Sequence, residues 1–167
     1  MEGNLMVNTE NVVFDQDKRS KVYNLCPWPI SFTLPNSGGI QWIDAYNSTT
    51  INNGELVTMA DNNEGMLCGK GEGNHARLYV DNPEFRKYVG FDNPESKKVQ
   101  FVLNDDECQK ILDLKTDAAF KKNVEEKVLL NHEKHIFMDY CRKHGLNVYS
   151  RVKFIEEYTG LKFSRDN

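Results

Sequence analysis

An α+β fold is predicted, with a small N-terminal β-sandwich or barrel followed by a short C-terminal helical bundle. Three observations predict it. Up to Val80, apolar residues alternate with polar ones in short runs separated by Gly, Pro and Asn turns. From Asn104 onward the apolar spacing becomes helical. Between them, Asp92-Asn93-Pro94 to Lys98 is a hydrophilic connector of the kind that separates modules. The division expected is a flexible arm over 1–19, a β-rich module over 20–98 and a helical module over 99–167.

The arm is polar, rich in Asn and Asp, with Val12-Val13-Phe14 as its one apolar cluster. Such a segment orders only against something else, which makes the cluster a candidate docking segment. The β module then opens with Lys21-Val22-Tyr23-Asn24-Leu25-Cys26, which alternates as a half-buried strand does, until Pro27-Trp28-Pro29 interrupts the ladder. Ile30, Phe32 and Leu34 share one face of the next strand. Pro35-Asn36-Ser37-Gly38-Gly39 is a turn, Ile40-Gln41-Trp42-Ile43 a further strand, and Ser48-Thr49-Thr50-Ile51 a β-branched one closed by Asn52-Asn53-Gly54. Glu55 to Ala60 fits a strand or one helical turn. Met66-Leu67-Cys68 and Leu78-Tyr79-Val80 read as two strands joined by a loop with Gly69, Gly71 and Gly73. Trp28, Trp42 and Tyr46 are expected to fill the small β core, the alternative being an exposed aromatic surface for a ligand.

Asn82-Pro83-Glu84 starts a helix that Gly90 stops, and Val99 to Leu103 is a candidate closing strand. Asn104 or Asp105 caps a helix burying Cys108, Ile111 and Leu112. Thr116 or Asp117 caps one burying Phe120, Val124 and Val128. Asn131 caps a third, with Ile136, Phe137, Tyr140 and Cys141, ending at Gly145. A fourth begins at Asn147 or Ser150, carries Val148, Val152, Ile155 and Tyr158, and ends at Gly160.

Composition narrows the functional classes. The chain of 167 residues is 39% hydrophobic and 28% charged, as a globular protein is. No apolar run is long enough for a membrane span and Met1 to Asn11 lacks signal-peptide character, so the expected place of synthesis is the cytoplasm. Met1 to Gln100 carries nine Lys/Arg against thirteen Asp/Glu, and the remainder twelve against twelve. Neither part offers the basic patch that sequence-independent nucleic-acid binding needs. Cys26, Cys68, Cys108 and Cys141 are widely separated without a C-x-x-C pair, and read as reduced, mostly buried thiols.

Three constellations invite chemistry. Gly65 to Gly71 falls short of a phosphate-binding loop in glycine spacing, in lacking a Ser or Thr after Lys70, and in running from strand to strand. His132, His135, Cys141 and His144 spread around a helix at about 100° per residue, so they do not converge on one metal ion. His75 and Arg77, beside Glu72 and Asn74, lack an accompanying nucleophile or second carboxylate. No cofactor is expected. The groups left for a protein partner are Val12, Val13 and Phe14 in the arm and Lys70, His75 and Arg77 around the glycine loop.

Asn24-Leu25-Cys26-Pro27-Trp28-Pro29-Ile30, Asn74 to Asp81 (NHARLYVD) and Phe154 to Gly160 (FIEEYTG) together resemble small uncharacterised, capsid-associated proteins of tailed bacteriophages. The resemblance implies a non-enzymatic structural protein of the virion, an auxiliary or decorating subunit bound to the capsid. Its implied partners are other virion proteins, the major capsid protein foremost, with homo-oligomerisation open and no direct contact with nucleic acid or membrane. The alternative is a small phage-encoded regulator that binds and inhibits a host protein.

Overall fold

A computed structural model describes residues 14–69, 75–92 and 100–164. The chain is mixed α/β, with strands and two helices first and helices alone after residue 100. The N-terminal part is organised around β1 (Arg19–Asn24), which pairs antiparallel with β4 (Ser48–Asn52) on one side and β5 (Leu78–Val80) on the other. Ser20, Val22 and Asn24 alternate inward along it, so the period of two seen in the sequence is the period of burial. The strand runs two residues earlier than the alternation suggested, because Arg19 still pairs with Asn52. A separate antiparallel pair, β2 (Ile30–Thr33) and β3 (Ile40–Ile43), forms around the Pro35 to Gly39 turn, where Gly38 takes φ +73°. Among the described residues these strands pair as two open sheets and do not close into one ring.

Glu55 to Ala60 is helical. α1 (Asn53–Asp61) starts where the Asn52 side chain accepts from the Gly54 N–H, and it buries Leu56, Val57 and Met59 against the sheet. The chain then turns: Leu67 and Cys68 donate to the Glu64 carbonyl, so Met66 to Cys68 makes a turn and a single bridge, Cys68 to His75, where a strand was expected. α2 (Pro83–Tyr88) has Asn82 as its cap, proline in its first turn and Gly90 at φ +81° beyond its end. Its Phe85 lies in the same core as Val22, Ile51, Leu56, Met59, Leu67, Leu78 and Val80.

A second core is built by α3 (Asp105–Leu112), α4 (Asp117–Lys127), α5 (Asn131–Lys143) and α6 (Tyr149–Thr159). Asn104 and Thr116 cap α3 and α4 as the sequence suggests. Asn131 does not cap α5. It is already helical, and the Glu133 carboxylate instead accepts from the Leu129 and Leu130 N–H groups. Gly160 closes α6 in the left-handed region. Residues 100–103 form no strand. Arg151 holds the helices together by donating to Asp117 and to the Leu112 and Leu114 carbonyls.

The two cores meet along the first turns of α5. Trp28 stands edge-on to His135 at 5.2 Å, and the His75 imidazole bonds the Phe101 carbonyl. The described helices include none long and apolar enough to cross a membrane.

Candidate partner-binding surface

The residues nominated for a partner separate in the fold. Val12, Val13 and Lys70 lie outside the described residues. Phe14 is 7% exposed and belongs to the chain's own core: its ring stacks on Tyr88 at 5.0 Å and leans on Phe85 at 5.9 Å. It is not offered to a partner as the sequence reading had it. The residues after it are also tied in, since the Asp15, Gln16 and Lys18 carbonyls accept from Asn53 Nδ2, Gly54 N–H and Asn53 N–H. His75 is buried, its Nδ1 3.0 Å from the Ala76 carbonyl and its Nε2 on that of Phe101. Arg77 is exposed. The fold does bring His75 and Arg77 together against the start of α5, where both charges act on His132.

A different surface comes forward. On β2–β3, Ser31 lies opposite Trp42 and Thr33 opposite Ile40, and these four share the outward face. Ile40 is 80% and Trp42 59% exposed, so Trp42 is not the core residue expected. Tyr46, held at φ +58°, is 59% exposed as well. Trp28, by contrast, packs against the β core. The hairpin is held rather than trailing. Its tip is pinned by Glu55 of α1, whose two carboxylate oxygens accept from the Asn36 and Ser37 N–H groups at 2.8 Å each. Burial raises the Glu55 pKa, but these bonds outweigh it and leave the carboxyl below its ordinary value. The indole is fixed too, with Trp42 Nε1 donating to Asp44 Oδ1 at 3.0 Å. The hydroxyls opposite the two apolar side chains were the available signal: with Ile30 and Phe32 inward, Ser31 and Thr33 must face out, and pairing then carries Trp42 and Ile40 out with them.

A recess of about 380 Å³ lies beside the α4–α5 turn, walled by His75, Phe101, Lys127, Leu129, Leu130 and Glu133, with Glu126 at its margin. Phe101 and Leu129 stand exposed at its mouth. Lys127 lies 5.9 Å over the Phe101 ring and 3.9 Å from Glu107.

Three of the four thiols are internal. Burial pushes the Cys26 thiol up to about 11, and Cys108 and Cys141 to about 12, which keeps them protonated and unreactive. All four cysteines are free, as expected. Among the described residues no three His, Cys, Asp or Glu side chains gather as a metal donor set. His144 follows the last turn of α5 and stacks on Tyr140 at 4.0 Å.

No family model matches the chain, and no curated protein or solved structure is matched by it.

Proposed function

We propose that the protein is a non-enzymatic binding subunit that joins a larger protein assembly through the outward face of its β2–β3 hairpin. The observation that carries this reading is the pair Ile40 and Trp42: two large apolar side chains, side by side on a held element, with the indole orientation set before any partner arrives. Exposed apolar groups clustered on a rigid support favour protein association, and a pre-oriented tryptophan loses little entropy on binding. The nearest approach to an acid–base site, His75, is buried with its ring nitrogens facing carbonyl oxygens of its own chain, which argues against catalysis there.

Taken with the resemblance to capsid-associated proteins of tailed phages, this surface fits an auxiliary or decorating subunit of the virion, with the major capsid protein as its partner. Mass spectrometry of purified particles tests the reading. The protein should be present in many copies, and an Ile40→Ser, Trp42→Ala variant should fold yet be missing from the particles. Absence of the unaltered protein from particles, with recovery on a host protein, would replace the virion role by that of a regulator. Undiminished incorporation of the double variant would remove the hairpin from the interface.

A further inference from the structure

One wall of the α4–α5 recess is a carboxylate, Glu133, whose cap engages a single oxygen. Glu133 is 5% exposed, and its Oε1 accepts both capping N–H groups, from Leu130 at 2.9 Å and Leu129 at 3.3 Å. Among the described residues Oε2 has no hydrogen-bond partner, yet no buried side-chain oxygen is left without one. Glu133 itself lines the recess. Capping uses one oxygen of the carboxylate and leaves the other outside the cap.

The neighbouring donors are committed elsewhere. The His75 ring nitrogens face the Ala76 and Phe101 carbonyls, and the Lys127 ammonium lies over Phe101 on the side of Glu107. Glu126 adds a second carboxylate at the margin, its own closest cation being Lys122 at 4.0 Å. The rest of the wall is Phe101, Leu129 and Leu130, and the volume suits a small molecule. We propose that this recess binds a small apolar amine or amide, whose carbon body lies against Phe101, Leu129 and Leu130 and whose N–H group donates to Glu133 Oε2. Burial pushes the Glu133 carboxyl up, and a donated hydrogen bond on the carboxylate relieves that cost. The site is separate from the hairpin face and does not depend on the assembly role proposed for it.

The test is a titration of the full chain followed through its amide NMR spectrum with three probes of one shape: phenethylammonium, phenylacetamide and 3-phenylpropionate. The first two should shift the Leu129, Leu130 and Glu133 amides saturably at millimolar concentration, and the acceptor-only carboxylate should not. Glu133→Gln keeps a carbonyl for the cap and turns an NH₂ group into the recess, so its preference should reverse toward phenylpropionate. Leu129→Ser, at an exposed position, should weaken the amine and the amide several-fold and keeps the test decisive if the Gln variant does not fold. Equal binding of all three probes, no saturable shift, or a folded Gln variant with unchanged preference would overturn the proposal.

Discussion

His132 is 2% exposed in the first turn of α5, and burial, followed by the charges of His75 and Arg77, holds its imidazole down at about 4. The unfolded chain takes up that proton near the ordinary value of about 6.5. Between the two values the unfolded state binds more protons, so stability falls as pH drops from about 6.5 to about 4 and is unaffected by this group below that. The full shift corresponds to about 3 kcal/mol, read as an order of magnitude. Glu133, raised by burial, acts in the opposite sense over the carboxylate range, so the clean measurement is a difference. Urea unfolding at steps from pH 7 to pH 4 should show a steeper acid loss in the unaltered protein than in His132→Gln. Parallel profiles would mean that the imidazole is not held neutral.

The ion pair of Arg86 with Asp92, 2.8 Å apart with both side chains buried, is a second residue-scale case. Arg86 also donates to the Val80 carbonyl, and Asp92 accepts from the Gln100 N–H. Arg86→Ala leaves a buried carboxylate without its cation and should cost about 3–5 kcal/mol in chemical denaturation. Neither partner was legible as a pair in the sequence. Arg86 lies on α2 and Asp92 just beyond Gly90, and only the left-handed glycine turns the chain back on itself.

At the scale of elements, local signals did well where a side chain meets its own backbone. Asn82, Asn104, Thr116 and Gly160 act where their residue types placed them, because a cap is decided within one turn of chain. Glu55 to Ala60 was ambiguous because its apolar residues suit either period, and burial under the sheet selected the helix. The hairpin shows the limit most clearly. Its turn and strands were readable, but its link to Glu55 spans distant sequence. Glu55→Ala should speed hydrogen exchange at Asn36 and Ser37 while leaving the β4–β1–β5 amides protected. With charged-acceptor bonds worth about 1.5–3 kcal/mol, that exchange should quicken by tenfold or more. Unchanged exchange at the tip would show that the turn holds itself.

For the whole molecule, the consequential finding is that Phe14 and the residues after it are built into the β part. The expectation of a flexible arm over 1–19 meets Phe14 in the core and the Asp15 and Gln16 carbonyls bonded to Asn53 and Gly54. The comparison is between a chain lacking 1–13 and one lacking 1–17. The second should be less stable than the first by about 3–5 kcal/mol, the cost of losing a buried phenylalanine. Equal stability of the two truncated chains, measured by thermal and urea unfolding, would show that Phe14 contributes nothing to the core. By itself the sequence determined a strand-rich first part and a helical last part, the caps at Asn82, Asn104, Thr116 and Gly160, the turn from Pro35 to Gly39 and the burial of Cys26, Cys108 and Cys141, since these follow from periodicity, backbone geometry and residue polarity over short distances. Only the tertiary structure decided that Phe14 faces inward and Trp42 outward, that Glu55 pins a distant turn, and that Glu133 lines a recess. Each of those depends on which elements meet, and the free energy of burial belongs to the meeting, not to any residue within it.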